Sequence, residues 1–141
     1  MVNTRLTVAI HVLCLLAHEA GKPPVTSDYI AGSVNTNPVV IRRLLASLRK
    51  AGIVASQGGS AGGWSLLRPA EQISLLDVYR LVDAGPALAL YQKQPNFRCP
   101  IGKWIQSSIE SHYQRAQLGL ERELDKVTIA EVLDSVMDKV R

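Results

Sequence analysis

From Leu6 onward, Leu6, Ala9, Ile10, Leu13, Leu16 and Ala17 recur at helical spacing, and Gly21-Lys22-Pro23-Pro24 ends the run. Val8, Val12 and Leu15 add apolar surface on other sides of the same helix. A helix apolar nearly all round is expected to be buried on more than one face, against its own core and against a second copy of the chain. Thr26 or Ser27 caps a short second helix reaching about Val34, with Asp28 in the first turn where the helix dipole favours negative charge. In Asn35-Thr36-Asn37-Pro38, Asn37 is an N-cap and Pro38 occupies the first helical position, where its missing N–H costs nothing. The third helix buries Ile41, Leu44, Leu45 and Leu48, while Arg42, Arg43, Arg49 and Lys50 project elsewhere, until Gly52 ends it.

The period then changes. Ile53 to Gln57 and Trp64 to Leu67 are β-compatible and flank Gly58-Gly59-Ser60-Ala61-Gly62-Gly63, a hairpin with a flexible tip. Two short helices, a tight turn, a basic second helix and a hairpin directly after it predict a winged helix-turn-helix. A fourth helix from about Ser74 to Val82 buries Leu75, Val78, Tyr79 and Val82 before Gly85-Pro86 breaks it. Residues 84–100 carry three prolines and read as a loop, with a short helix expected near Leu88-Ala89-Leu90. A long helix follows from about Pro100 to Asp125, with Ile101, Trp104, Ile105, Ile109, Ala116, Leu120 and Leu124 as its apolar positions and little core of its own to cover. Thr128 and Glu131 form a capping box, with Val127 stapled onto Val132, for a last helix with Ile129, Val132, Leu133 and Val136 inward. The predicted class is mainly α with a small β-hairpin: residues 1–83 as the winged unit, 84–99 as a linker and sensor loop, 100–141 as dimerisation helices.

A chain of 141 residues, 47% hydrophobic and 20% charged, holds one core plus an extension rather than two full domains. The apolar stretch Val8 to Ala17 is too short to cross a membrane and has neither a basic leader nor a small-residue cleavage site, so a cytoplasmic protein with no membrane partner is expected. Two cysteines, Cys14 and Cys99, do not make a disulfide framework. The net charge is +4, and its distribution matters more than its size. Residues 1–70 hold seven Lys/Arg against Glu19 and Asp28, whereas residues 71–141 hold nine against ten acids. A basic half joined to a neutral half suggests an anionic partner for the first and a protein partner for the second.

Other chemistry is thin. The glycine cluster leads into Trp64-Ser65-Leu66 rather than into Lys-Ser or Lys-Thr and a helix, which argues against a phosphate-binding loop. His11, Cys14 and His18 lie near one side of the first helix as possible zinc ligands, but no fourth partner is evident nearby, and a buried thiol flanked by two imidazoles is the reading preferred, with no metal expected. Cys99 precedes Pro100 at a helix start between Arg98 and Lys103, surroundings that favour the reactive thiolate, although an incidental exposed thiol is the plain alternative. Pairing Cys99 with His112 would need an orienting group and an oxyanion site, and neither is identifiable. With no paired carboxylates, nucleophile triad or complete metal site, an enzyme is not expected.

Arg5-Leu6-Thr7, the run from Ile41 to Val54, the Ser56 to Leu67 hairpin with Gly62-Gly63-Trp64, Ile73 to Asp83, and Thr128-Ile129-Ala130-Glu131-Val132-Leu133 resemble the Rrf2 winged-helix regulators of the IscR, NsrR and CymR type. Cys99-Pro100-Ile101-Gly102 is similar to members with a single cysteine. The resemblance implies a homodimer built on the long carboxy-terminal helix, two wings straddling a palindromic operator in double-stranded DNA, and repression released by an oxidant, cluster or small-molecule signal. Two departures stand out. Cluster-bearing members place three cysteines around residues 91–105, where this chain has only Cys99, so no cofactor and no iron–sulfur cluster is expected. In many members an arginine opens the wing, where this chain has Gly58, which weakens a minor-groove reading.

With the third helix in the major groove, Asn37, Val39, Val40, Arg42 and Arg43 are expected to reach bases and nearby phosphates. Arg5, Thr26, Ser27, Gln57 and Ser60 are expected to hold the backbone, and Arg49 and Lys50 are counted among the DNA-binding residues. Cys99 is the expected sensor. The competing reading is a winged helix that docks an acidic protein partner through the same basic face.

Overall fold

The computed structural model describes residues 4–82 and 85–141. The element order is α1 (Arg5–His18), α2 (Ser27–Val34), α3 (Pro38–Lys50), β1 (Val54–Gln57), β2 (Gly63–Leu66), a 3₁₀ turn (Ala70–Gln72), α4 (Leu75–Leu81), α5 (Pro100–Asp125) and α6 (Ile129–Val140). No helix among the described residues is long and apolar enough to cross a membrane.

α1 runs through the middle of the core, with Ala9, Val12, Leu13 and Leu16 buried and Leu6, Ile10 and Ala17 packed at its margins. Helices α2, α4 and α6, strand β2 and the 3₁₀ turn all touch it. Its wide apolar surface is therefore met largely within one chain, by an element expected to lie elsewhere. The backbone shows why: Leu75 N donates to Val127 O and Ile129 N to Ile73 O, each at 2.9 Å, forming a bridge between Ser74 and Thr128. That bridge delivers Ile129 into the core as a fully buried side chain, worth about 1.5–3 kcal/mol. Val132 and Leu133 follow, while Val136 stays exposed. The expectation that residues 100–141 form one unit of dimerisation helices is corrected: α6 closes the amino-terminal core, and α5 alone is the extension. The expected boundary between residues 83 and 84 lies outside the described residues.

The caps stand as the sequence suggests. The Thr26 hydroxyl accepts from Tyr29 N at 3.1 Å, Asn37 Oδ1 from Val39 N at 2.8 Å, and Thr128 Oγ1 from Glu131 N at 3.2 Å. Ser74 and Asp77 add a reciprocal capping box at the head of α4. Asn35 takes the left-handed conformation that turns α2 into α3 (φ 61°), a geometry asparagine tolerates better than most residues. In α4 the buried positions are Leu76, Val78 and Val82, whereas Leu75 and Tyr79 are only half-buried.

Residues 85–99 contain no helix, so the expected turn at Leu88-Ala89-Leu90 does not form. Three residues after a proline cannot repay helix nucleation, and Ala87 N donates instead to Gln117 Oε1 at 3.0 Å.

α5 carries 26 residues and buries none of them. It is anchored to α4 by Gln117 Nε2 donating to Tyr79 Oη at 3.0 Å and by the Arg80–Glu121 ion pair at 3.5 Å. Ile101 is 73% exposed, Trp104 59% and Leu118 54%.

Candidate nucleic-acid interface

α3 divides its sides sharply. Ile41, Leu45 and Leu48 are fully buried, which fixes the helix on the core and turns Val39, Val40, Arg42, Arg43 and Lys50 outward, all exposed. Among the described residues no carboxylate pairs with Arg42, Arg43 or Lys50. Among the described residues, ion pairs of the winged unit lie at Lys22–Glu19 (3.6 Å) and Arg68–Asp77 (3.6 Å). An exposed cationic helix face with no described counter-charge is suited to phosphates, and the exposed side chains of Val39 and Val40 stand in its first turn.

Arg5, Val40 and Arg43 meet on one groove of about 450 Å³ between the head of α1, the outer side of α3 and the end of α4, together with Thr36 and Ser47. Thr36 and Ser47 escaped the sequence reading. The signal was available, because Ser47 is four residues after Arg43 and so shares its side of the helix, and its hydroxyl donates back to Arg43 O at 3.3 Å. Thr26 and Ser27 stand at the head of α2, beside exposed Tyr29, a further polar group that the sequence reading passed over. Asn37 is occupied as the α3 cap through its Oδ1, while its amide N–H groups remain donors of a different kind.

Arg49 differs from its neighbours. Its Nη1 donates to Ser56 Oγ at 3.2 Å and its guanidinium lies over the Trp64 ring, so it braces α3 against the hairpin. The hairpin pairs Val54 with Leu66 through Gln57 with Gly63 in antiparallel register. Trp64 N donates to Val25 O at 2.7 Å and Val25 N to Trp64 O at 2.9 Å, which ties the strand entering α2 to the wing. The tip demands glycine. A Cβ on Gly62 would sit 2.1 Å from Gln57 O, and one on Gly63 would sit 2.6 Å from Val25 O. Gln57 and Ser60 are exposed at this tip. The structure thus gathers Arg5, Val40 and Arg43 in one groove and sets Gln57 and Ser60 on the adjoining wing.

The other candidates separate. His11 Nε2 is 2.9 Å from Ser33 Oγ, and the Cys14 thiol faces Ile129 O at 3.9 Å, so neither turns toward His18 as a metal site would require. Burial pushes the Cys14 thiol up to about 11, making it a poor nucleophile and a poor ligand. Cys99 is exposed as the N-cap of α5, far along the chain from α3. The Lys103 ammonium, one turn into the same helix, lies over the Trp104 ring, 5.2 Å from the centroid.

Residues 2–135 match the family model described as Rrf2, iron-dependent transcriptional regulator. The chain is 40% identical over 134 residues to the HTH-type transcriptional regulator YwnA of Bacillus subtilis, covering 95% of this chain and 98% of that one. A crystal structure of a DNA-binding protein is 39% identical, covers 92% of this chain and 98% of its own, and superposes with a TM-score of 0.71. IscR of T. potens superposes with a TM-score of 0.73 at 25% identity, over 96% of this chain and 88% of that one.

The iron in the family description calls for a donor set. Iron–sulfur clusters take Cys thiolates, with His replacing some of them in certain centres. Here one of the two cysteines is buried in the core and the other is exposed at the head of α5, and no group of three His, Cys, Asp or Glu gathers among the described residues. These donors do not fit a cluster held by one chain.

Proposed function

Because the chain belongs to the Rrf2 family of DNA-binding transcriptional regulators, we propose that it works in the cytoplasm as a homodimeric repressor on a palindromic operator, without an iron–sulfur cluster. The observation that carries this reading is the outward side of α3: Val39, Val40, Arg42, Arg43 and Lys50 exposed together, with no carboxylate among the described residues paired to them, beside a glycine-tipped wing. In this arrangement α3 enters the major groove. Arg42 and Arg43 reach base edges and flanking phosphates, and Arg5, Thr26, Ser27, Gln57 and Ser60 hold the backbone on either side. Pairing of two chains is supported by α5, a helix of 26 residues with no buried side chain and a row of exposed apolar ones, whose burial against a second copy would contribute about 1.5–3 kcal/mol per large side chain.

The proposed signal acts at Cys99, exposed at a helix start. The thiolate attacks hydrogen peroxide, whose O–O bond breaks to give the sulfenic acid and hydroxide, and the modified residue changes the seating of α5. Gel shifts at several salt concentrations test the docking. Arg43→Ala is expected to weaken specific binding by about 1–3 kcal/mol, and loss of Arg5 to weaken all sequences alike and flatten the salt dependence. Unchanged affinity after replacing both Arg42 and Arg43 defeats the model. A peroxide response that survives Cys99→Ser removes the thiol from the signal.

A further inference from the structure

Residues 86–90 lean over the middle of α5 and leave between them a groove of about 660 Å³, within the size range of small-molecule sites. Pro86, Leu88, Ala89 and Leu90 form one wall, and Tyr113 and Leu118 the other. Besides the Tyr113 hydroxyl, the polar side chains among its described lining are Glu110, Gln114 and Gln117, so a carboxylate is the one charged group there and no cation of that lining answers it. The groove beside α3 differs in charge, with Arg5 and Arg43 and no acid among its described lining.

Gln117 does more than line the groove. Its Oε1 accepts from Ala87 N, at the start of the overlying loop, and its Nε2 donates to the Tyr79 hydroxyl on α4, both at 3.0 Å. That hydroxyl in turn donates to Gly85 O. One amide side chain therefore joins the roof of the groove, its floor and the helix that belongs to the winged unit. α4 packs on α1, and its end, at Leu81 and Val82, lines the groove that contains Arg5 and Arg43. A continuous set of contacts runs from the loop to the DNA-facing side.

We propose that the groove between residues 86–90 and α5 binds a small organic amine with an apolar body, and that its occupancy is passed through Gln117 and Tyr79 to α3. The apolar walls take the body, the Glu110 carboxylate takes the ammonium, and the two glutamine carbonyls take its remaining N–H groups. A carboxylate or phosphate of the same shape meets Glu110 with nothing to offset it. An ammonium that claims Gln117 Oε1 competes with Ala87 N, which loosens the loop and shifts the amide that holds Tyr79. Coupling of this kind is reciprocal, so DNA changes amine affinity by the factor by which the amine changes DNA affinity. The binding half stands on the groove alone, whereas the coupling half rests on the DNA-binding reading above.

The test uses the full chain and two matched pairs of probes, phenethylamine against 3-phenylpropionate and tryptamine against indole-3-propionate. Calorimetry is expected to show binding of at least one amine and of neither acid, with Glu110→Gln weakening the amine at least about tenfold, as befits loss of a charge-assisted contact. Fluorescence anisotropy with operator DNA is expected to show the amine shifting DNA affinity by about fivefold or more. Tyr79→Phe, which keeps the ring and removes the hydroxyl, is expected to bind the amine normally and lose that shift. Equal binding of amines and acids, indifference to Glu110→Gln, or no binding of any probe, as when a second copy fills the groove, overturns the site. Amine binding that leaves DNA affinity unchanged overturns the coupling. A wild-type chain that binds no DNA fails the regulator reading instead and leaves the calorimetric result standing.

Discussion

The guanidinium of Arg49 lies 5.8 Å from the centroid of the Trp64 ring and donates to Ser56 on the neighbouring strand, so the last turn of α3 and the wing are held together as one body. Both partners are accessible to solvent, which puts the cation–π contact at about 0.5–1 kcal/mol. Arg49→Ala is expected to lower stability by about that amount in urea melts and to weaken DNA binding without changing the salt slope. A slope that falls by about one counterion would make Arg49 a phosphate contact rather than a brace.

Gly63 tests how the wing is fixed. A Cβ there would stand 2.6 Å from Val25 O, in the middle of the two hydrogen bonds that join Val25 to Trp64. Gly63→Ala is expected to cost about 1–3 kcal/mol, the range for overpacking, as measured by thermal or urea unfolding. Gly32 is the control: it lies in α2 with no atom within 4 Å of its would-be Cβ, so Gly32→Ala is expected to be neutral or to stabilise by up to about 1 kcal/mol. Similar losses in both variants would mean that Gly63 is not special.

Most of the winged unit was legible because its signals are local. Asn37-Pro38 marks a helix start by capping and by φ alone, and the stripe Ile41, Leu45, Leu48 needs only the helical period. What escaped was non-local. Thr128 pairs with Ser74 across more than fifty residues, and a capping box reveals that a helix begins there but not which core it enters. Tyr79 has the spacing of a core residue, yet its hydroxyl is claimed by Gln117 on a helix much later in the chain. Within the candidate interface, the charge of Arg49 was readable, but its commitment to Trp64 depends on where the hairpin returns.

The two cysteines should behave oppositely. Burial raises the Cys14 thiol from the ordinary 9.0 to about 11, while Cys99 is exposed. At pH 8 iodoacetamide is expected to modify Cys99 alone in the folded protein and both residues in denaturant, as read by mass spectrometry of the peptides. The raised value also fixes a pH effect. The unfolded chain gives up the Cys14 proton near pH 9 and the folded chain near pH 11, so the stability this thiol contributes is complete below about pH 9 and is lost as pH rises toward 11. Other groups titrate in that range, so the measure is the difference between wild type and Cys14→Ala, which should narrow across that window. A constant difference would show that the thiol does not titrate with unfolding.

α5 carries the heaviest demand, since Ile101 and Trp104 leave most of their surface in water near its amino-terminal end. If pairing of two chains buries them, Trp104→Glu places an unpaired carboxylate in an apolar contact and is expected to give monomers in sedimentation velocity, with the winged unit still folded because the helix adds no residue to the core. A monomer engages one half-site at a time. Affinity for a full operator is then expected to fall by about 10²–10⁴, the usual gain from linking two binding modules, while affinity for an isolated half-site is unchanged. The half-site measurement separates lost pairing from lost folding. A Trp104→Glu chain that remains dimeric would move the subunit contact elsewhere on the molecule.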